Sequence, residues 1–220
     1  MKRQIIFLST VLLWGFLINT ASAQLVQGRD YMPLSPPQPT ENSKKIEVIE
    51  FFWYGCIHCY HLESPLNAWL KHKPAYVEFR RVPAVLSPGW VPLTRTYYTL
   101  VALGVADKYH AAIFNAIHNE GRRDLVSDPD AIASWLATKG LDKQKFLDAY
   151  NSFSVNGRTE RAADISGAYN IEGTPTLVIN GKYLIEPSMD GYSIGSQVDY
   201  AAFFHAVDQL IAQERKGRKQ

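Results

Sequence analysis

Two periodicities alternate along the chain, and each predicts one type of element. Residues 46 to 53, I-E-V-I-E-F-F-W, are rich in β-branched and aromatic types and predict a central strand. From Cys56 to His72 the apolar side chains fall on one helical face, so we expect a helix directly after this strand. Residues 76 to 82 alternate apolar and polar side chains and predict a second strand. This part of the chain therefore has the order strand, helix, strand.

The middle of the chain has helical periodicity only. A break rich in proline and glycine, between residues 83 and 92, ends the second strand. The third predicted helix after this break has Asp128 before Pro129 at its first turn and Gly140 just past its end, which are typical helix ends. We therefore predict a helical block without strands. Its helices are predicted at residues 93 to 103, 107 to 119, 129 to 139 and 143 to 151.

The end of the chain returns to a mixed pattern. A helix predicted at residues 156 to 169 leads to the hairpin T-L-V-I-N-G-K-Y-L-I, residues 176 to 185, whose Asn-Gly pair favours a type I′ turn. An amphipathic helix is predicted at residues 197 to 213. Ahead of the first strand, the proline-rich residues 31 to 43 are predicted to be extended, with their first part at a sheet edge.

The N-terminus has the pattern of a cleaved secretory signal. Lys2 and Arg3 precede an uncharged apolar segment at residues 5 to 18, and the small residues A-S-A at 21 to 23 form a cleavage site before Gln24. The apolar segment is shorter than the roughly 20 residues that cross a bilayer, so we predict cleavage rather than a membrane anchor. The mature protein is then an exported, soluble chain that begins at Gln24.

The charge of the mature chain does not suggest an anionic partner. Cleavage removes Lys2 and Arg3 from the 23 basic residues, which leaves 21 against 21 acidic ones. A net charge near zero lacks the basic excess that nucleic acids and anionic membranes attract. We therefore expect neither as a partner.

The two cysteines of the chain, Cys56 and Cys59, form a C-x-x-C pair at the predicted start of a helix. As a structural staple the pair is weak, because closing a four-residue loop stabilises by only about 2 kcal/mol in the chain-entropy model. A thiolate at a first helical turn faces unpaired N–H groups and the positive end of the dipole, which lowers its pKa. Cys56 lies there, Cys59 is shielded, and His58 between them would further stabilise the thiolate. The pair therefore has the properties of a nucleophile and a resolving thiol, and its disulfide those of an oxidant.

Two longer motifs accompany the cysteine pair. They are E-F-F-W-Y-G-C-I-H-C-Y at residues 50 to 60 and G-T-P-T at 173 to 176, with the helical block between them. With the signal peptide, they resemble the DsbA family of periplasmic thiol:disulfide oxidoreductases over essentially the whole mature chain. The resemblance implies an α/β, thioredoxin-like fold with an inserted all-helical domain. The predicted divisions are a signal peptide at 1–23, a first thioredoxin-like part at 24–88, the helical insertion at 89–162 and a second thioredoxin-like part at 163–220.

The same resemblance implies roles for individual residues. Cys56 is the expected nucleophile and Cys59 the resolving cysteine, while Pro175 is the expected cis-proline whose loop packs beside the disulfide. Glu50 matches the family's acidic residue beneath the active site, a proton acceptor for Cys59. The candidate substrate-binding residues are Thr174 through its backbone, Ile57 next to the nucleophile, and Tyr54 on an apolar surface around the cysteines.

Two positions next to the sulfurs differ from the residues common in the family. Ile57 stands where proline is common, and Thr174 stands where the oxidases often have valine. Because threonine is more familiar in isomerase relatives, a disulfide isomerase or reductase is an alternative function. Exported isomerases usually carry a dimerisation domain, for which residues 24 to 45 are too few, and this favours an oxidase. A metal-binding module that uses Cys56, Cys59 and nearby histidines is the remaining alternative.

The resulting hypothesis is a protein disulfide oxidoreductase. It donates the Cys56–Cys59 disulfide to reduced exported polypeptides in the periplasm through a mixed disulfide at Cys56. No cofactor or metal is expected, and the resemblance implies a DsbB-type quinone-linked membrane protein as the reoxidant. We expect a monomer that binds no nucleic acid.

Overall fold

The computed structural model describes residues 24 to 218, so the predicted signal peptide lies outside the described residues. A five-stranded sheet with the order β1-β5-β4-β2-β3 forms the centre of the fold. β2 and β3 run parallel, and the other neighbouring strands are antiparallel. The strands are β1 (Met32–Pro33), β2 (Ile46–Phe52), β3 (Val77–Pro83), β4 (Thr176–Ile179) and β5 (Tyr183–Ile185), followed by a separate ribbon of β6 (Ser193–Ile194) and β7 (Gln197–Val198).

Most of the remaining chain is helical. Five of the helices, α2 to α6, follow one another without an intervening strand. The first four correspond to the predicted helical block, and α6 corresponds to the helix predicted before the hairpin. In the described part of the chain, no helix is both long and apolar enough to cross a membrane. The helices are α1 (Ile57–His72), α2 (Val91–Ala102), α3 (Ala106–His118), α4 (Pro129–Thr138), α5 (Lys143–Tyr150), α6 (Phe153–Ala168) and α7 (Tyr200–Gly217).

The core consists of three apolar clusters. Successive side chains of β2 point to opposite faces of the sheet, so Val48 packs with α1 and α7 whereas Ile49 packs with α6. The third cluster lies among α2 to α5 and includes Phe52, Tyr54 and Cys59. The helical block therefore shares one core with the segment that carries the cysteines.

The predicted hairpin turn and edge strand are confirmed. β4 and β5 are joined at Asn180 and Gly181, with φ of 53° and 66°, and a type I′ turn needs this left-handed conformation at both central residues. Met32 and Pro33 form β1 at the edge of the sheet, where proline's missing N–H is tolerated.

Two helix starts differ from the prediction by three residues, each for an identifiable reason. α6 begins at Phe153 rather than 156, because the Ser152 hydroxyl accepts from the N–H of Val155 at 3.3 Å and caps the first turn. α7 begins at Tyr200 rather than 197, because residues 197 and 198 form β7 and Asp199 is the cap. α6 also runs without a break through position 162, where the helical insertion was predicted to end. The division into domains stays a prediction.

Candidate active site

The segment between β2 and α1 places Cys56 at the start of a helix. Cys56 is extended, with φ −88° and ψ 117°, and its N–H donates to the carbonyl oxygen of Trp53 at 2.9 Å. Glycine is required at position 55, because a Cβ there would overlap the Trp53 ring. The Trp53 indole in turn stacks on Trp90, with ring centroids 4.4 Å apart. The loop before Cys56 is therefore held by a backbone hydrogen bond and by aromatic packing.

The structure brings the cysteine pair together with the predicted cis-proline loop. Cys56 is half-buried and Cys59 is fully buried, and both are free thiols. The Sγ of Cys56 lies 3.2 Å from the carbonyl oxygen of Thr174, to which it donates when it is protonated. The peptide bond between Thr174 and Pro175 is cis, as predicted. The nucleophile candidate thus lies against a loop that is 118 residues away in the sequence.

The pKa values of the two thiols are shifted in opposite directions. A hydrogen bond from the Cys59 thiol is the main cause that lowers the pKa of Cys56 to about 5. The Thr174 side chain and the backbone N–H groups of Cys59 and His58 lower it further, while partial burial opposes them. Burial raises the pKa of Cys59 well above its usual range, and the neighbouring Cys56 raises it more. At neutral pH, Cys56 is therefore a thiolate and Cys59 a thiol.

Thr174 gives a direct test of this thiolate. We expect Cys56 to titrate with a midpoint near pH 5. Thr174→Val should raise its pKa by about one unit, because the anion loses a hydrogen bond. Thiolate ultraviolet absorbance against pH measures both, and Thr174→Ser, which keeps the hydroxyl, should titrate like the native protein. An unchanged pKa in the valine variant would show that the hydroxyl does not stabilise the anion.

The side chains of Ile57 and His58 lie exposed beside the nucleophile. The backbone N–H of His58 helps to lower the pKa of Cys56, and the role expected of its imidazole stays a prediction. The rings of His58 and His61 are 6.4 Å apart, and in the part of the chain that the structure describes no three His, Cys, Asp or Glu side chains form a group that could hold a metal ion.

A groove of about 360 Å³ runs from His58 along the cis-proline loop. We call it the cis-proline groove. Its opposite wall is formed by the loop after β5 and the start of α7. Its lining includes His58, Thr174, Pro175, Glu186, Val198 and Tyr200.

A network of buried polar groups extends beneath the cysteines. Glu50 of β2 lies opposite Arg81 of β3, and the Arg81 Nε donates to its carboxylate at 2.9 Å. Arg81 also lies 3.4 Å from Glu63 of α1. Glu63 accepts from Nε2 of His110 at 3.2 Å, and Nδ1 of that ring bonds with the hydroxyl of Tyr54 at 2.8 Å. The network joins β2, β3, α1 and α3 to the loop before Cys56.

The two carboxyl groups of this network differ in acidity. Burial raises the pKa of Glu50 to about 7, with Arg81 opposing the rise and Glu63 adding to it. One oxygen of Glu50, Oε1, has no hydrogen-bond partner among the described residues. Burial is the largest single influence on Glu63 and would raise its pKa. The hydrogen bond from His110, the charges of His110 and Arg81 and the hydrogen bond from Asn67 together outweigh burial, so the pKa of Glu63 is lowered. The charge of Glu50 helps to raise the pKa of Cys59, so this carboxyl lies within electrostatic range of the resolving thiol.

Tyr54 is not at the surface where the sequence placed it. Its side chain is 1% exposed, and its ring packs on Phe52 and Phe114 with centroids 5.1 and 4.9 Å apart. A ring in this position offers no surface to a substrate. This corrects the predicted substrate contact, because an aromatic side chain with a hydroxyl partner is stable in the core.

Two histidines of α3 have a place at the site that the sequence did not predict. His110 belongs to the network, and His118 bonds through Nε2 with the Tyr54 carbonyl oxygen at 2.8 Å and stacks on Tyr60. Neither was among the candidate site residues taken from the sequence. The available signal was that His110 lies three residues before Ile113, on the apolar face of α3.

Known proteins match most of the chain. A family model described as a DSBA-like thioredoxin domain matches residues 77–193. The thiol:disulfide interchange protein DsbA of Burkholderia cepacia is 42% identical over 173 residues, which are 78% of this chain and 81% of that protein. The protein of the same name from Pseudomonas aeruginosa is 40% identical over 192 residues, 87% of each chain.

Solved structures match the fold as well. The crystal structure of Pseudomonas aeruginosa DsbA aligns with a TM-score of 0.79 at 38% identity, over 88% of this chain and 96% of that one. These matches confirm the thioredoxin-like fold with its helical insertion and the thiol chemistry expected of the cysteine pair. The chain belongs to the DsbA family and is a thiol:disulfide oxidoreductase.

Proposed function

We propose that this protein oxidises reduced exported polypeptides by donating its Cys56–Cys59 disulfide. The observation that carries the proposal is that the pKa values of the two thiols shift in opposite directions. The pKa of Cys56 is lowered to about 5, and that of Cys59 is raised. Only the reduced protein contains the Cys56 thiolate, so every interaction that stabilises this anion favours the reduced form. The disulfide is then readily given up to a client.

The transfer takes two thiol exchanges. A client thiolate attacks Sγ of Cys56, and the Cys56–Cys59 bond breaks as the mixed disulfide forms. Cys59 leaves with the electron pair and takes up a proton, which we assign to Glu50 because its pKa of about 7 suits transfer at neutral pH. A second client thiolate then attacks the client sulfur and releases Cys56 as a thiolate. The client loses two electrons, and this protein gains them.

The residues around Cys56 are proposed to hold the client. The Thr174 carbonyl oxygen lies 3.2 Å from Sγ of Cys56, so an extended client segment beside the Thr174–Pro175 loop can use the loop's backbone groups. Ile57 and His58 present exposed side chains next to the attacked sulfur. They are the proposed contacts on the helix side of the site.

The compartment and partners follow from the same chemistry. The predicted signal at residues 1 to 23 directs export, and we place the mature protein in the periplasm, where disulfides persist. Reoxidation needs a two-electron acceptor, for which we propose a DsbB-type quinone-linked membrane protein. The mature chain acts as a monomer and binds no nucleic acid in this proposal.

The redox equilibrium with glutathione separates the proposed function from its alternatives. Trp53 stacks beside the site, so tryptophan fluorescence should follow the redox state. We expect a potential more oxidising than the glutathione poise of roughly −240 mV, together with rapid oxidation of a reduced, unfolded client. A potential of about −270 mV would indicate a reductase. Faster repair of a scrambled client than oxidation of a reduced one would indicate an isomerase, and stoichiometric zinc uptake would indicate a metal-binding module.

The Cys56 thiolate also predicts how stability depends on pH. Its pKa is lower in the folded than in the unfolded protein, so its contribution is lost as pH falls through about 5. The oxidised protein has no such thiolate. We expect the reduced form to melt at the higher temperature at pH 7, and its advantage to shrink by about 5 °C by pH 4, after allowance for solvent screening.

Calorimetry of both redox forms at each pH measures this difference. Groups such as Glu50 titrate in both forms, so their contribution largely cancels. A difference in melting temperature that does not change between pH 7 and pH 4 would contradict a stabilised thiolate.

A further inference from the structure

A second cavity lies on the far side of the cis-proline groove. It has a volume of about 200 Å³ and lies between β1 and the loop after β5, and we call it the β1 cavity. This volume is below the roughly 300 to 1,000 Å³ of small-molecule sites and suits a single side chain. Its walls are largely apolar, and its charged lining residues among the described residues are two carboxylates. The walls include Met32, Leu34, Leu184 and Met189, and the two carboxylates are Glu172 and Glu186.

Glu186 connects this cavity to the site of thiol exchange. It lines both the β1 cavity and the cis-proline groove. Its carboxylate accepts from the hydroxyls of Thr176 and Ser188, both at 3.2 Å, which orients it at the boundary. Glu172 also lines the β1 cavity and lies two residues before Thr174 in the sequence. The cavity is therefore connected to the cis-proline loop through Glu186, which lines both openings, and through the short chain segment between Glu172 and Thr174.

A short client segment is enough to connect the client cysteine with the β1 cavity. The hydroxyl that contacts Glu186 belongs to Thr176, two residues beyond Thr174. An extended chain advances about 3.3 Å per residue, so two residues span about 7 Å. Two or three extended residues of a client beside Thr174 are therefore enough to reach the level of Thr176, whose hydroxyl contacts Glu186 at the edge of the cavity.

The β1 cavity and the cis-proline groove are lined by carboxylates and by no lysine or arginine among the described residues. Lysine and arginine side chains lay their aliphatic stems on apolar surface and keep the charged end near polar groups. A wall of methionine and leucine with carboxylates at its edge matches both parts of such a side chain.

We propose that the β1 cavity binds a lysine or arginine side chain of the client, two or three residues from the cysteine that attacks Cys56. The inference rests on the proposed function, since it concerns the substrate of that same exchange. It makes Glu172 and Glu186 determinants of client preference. The exchange chemistry itself stays with Cys56 and Cys59.

Single-cysteine peptides test the preference. Each peptide carries lysine, glutamine or glutamate two residues from the cysteine, and fluorescence follows its reaction with the oxidised protein. The rate of each peptide with the protein is divided by the rate of the same peptide with oxidised glutathione. This correction is needed because a neighbouring charge also changes the acidity of the peptide thiol. We expect the lysine peptide to react about fivefold faster than the glutamate peptide, the size of effect an exposed ion pair gives.

Matched variants assign the effect to the cavity. The double change Glu172→Gln with Glu186→Gln should bring the lysine-to-glutamate ratio close to one. Glu160→Gln, which removes an exposed carboxylate of α6 that lines neither opening, should leave the ratio unchanged. If all peptides react equally fast, the inference is wrong while the proposed function stands. If none reacts, the proposed function itself is wrong.

The methionines give a direct view of the occupied cavity. The chain has three, and Met1 falls in the predicted signal, so a methyl-labelled mature protein shows Met32 and Met189 alone. A Cys59→Ser variant holds the peptide as a mixed disulfide during the measurement. We expect both methyl signals to shift with the lysine peptide and to move much less with the glutamine peptide. A rate preference without such shifts would indicate long-range attraction instead of binding in the cavity, and would overturn the proposal.

Discussion

Cys56→Ser is expected to abolish disulfide exchange, whereas Cys59→Ser is expected to stop it halfway. With oxidised glutathione at pH 7, the native protein should end as the intramolecular disulfide. The Cys59→Ser variant should accumulate the Cys56–glutathione adduct, because no second thiol resolves it. The Cys56→Ser variant should react at least about a hundredfold more slowly than the native protein, since a raised pKa leaves little thiolate on Cys59.

The physical reason is that the two cysteines differ in both ionisation and access. Cys59 has no exposed surface, and burial is the first cause of its raised pKa, so removing Cys56 does not turn it into a nucleophile. Mass spectrometry of the adducts over time measures all three rates. Adduct formation on the Cys56→Ser variant at a rate comparable to the native protein would contradict the assignment of nucleophile and resolving thiol.

Arg81→Met is expected to lower the free energy of unfolding by about 3 to 5 kcal/mol at neutral pH, the usual cost of removing one partner of a buried ion pair. Arg81 is the cation that Glu50 and Glu63 share. Without it, Glu50 loses the charge that opposes burial, so its folded pKa rises further above that of the unfolded chain. Such a group loses stability as pH rises, so the deficit should be small near pH 4 and largest above neutral pH.

Urea unfolding of the oxidised form measures this loss without interference from the thiols. Arg81→Lys keeps the charge but not the fork of donors, and should lose less. Adding Glu50→Gln to Arg81→Met removes one unpaired carboxylate and should recover part of the loss. A deficit below about 1 kcal/mol, or one that is independent of pH, would mean that the charges are compensated elsewhere.

Features that depend only on residues close in sequence could be predicted from the sequence alone. The Asn180–Gly181 turn needs two residues that accept positive φ, and the chain supplies them between two apolar runs. The lowered pKa of Cys56 follows first from the Cys59 thiol, one helical turn further on, and then also from the backbone N–H groups at the start of the helix, and both are close in sequence. The cis-proline came from the family resemblance, because nothing in the local sequence requires that isomer.

The charged network could not be predicted in the same way. Glu50 meets Arg81 only because parallel pairing of β2 and β3 places those two positions side by side, and this register is a property of the sheet. His110 reaches Glu63 from another helix, 47 residues further along the chain. Tyr54 was misplaced for the same reason, since the residues that bury its ring, among them Phe114, come from the helical block.

The shared core has a consequence for any attempt to make a minimal version of this enzyme. Phe52, Tyr54 and Cys59 pack in the same cluster as the helices between α2 and α5. His118, at the end of α3, also holds the carbonyl oxygen of Tyr54. Excising the block and ligating the two outer segments would leave the floor of the catalytic loop open to water, including the resolving sulfur. The helical block therefore buries one side of the active-site segment and cannot be removed without exposing it.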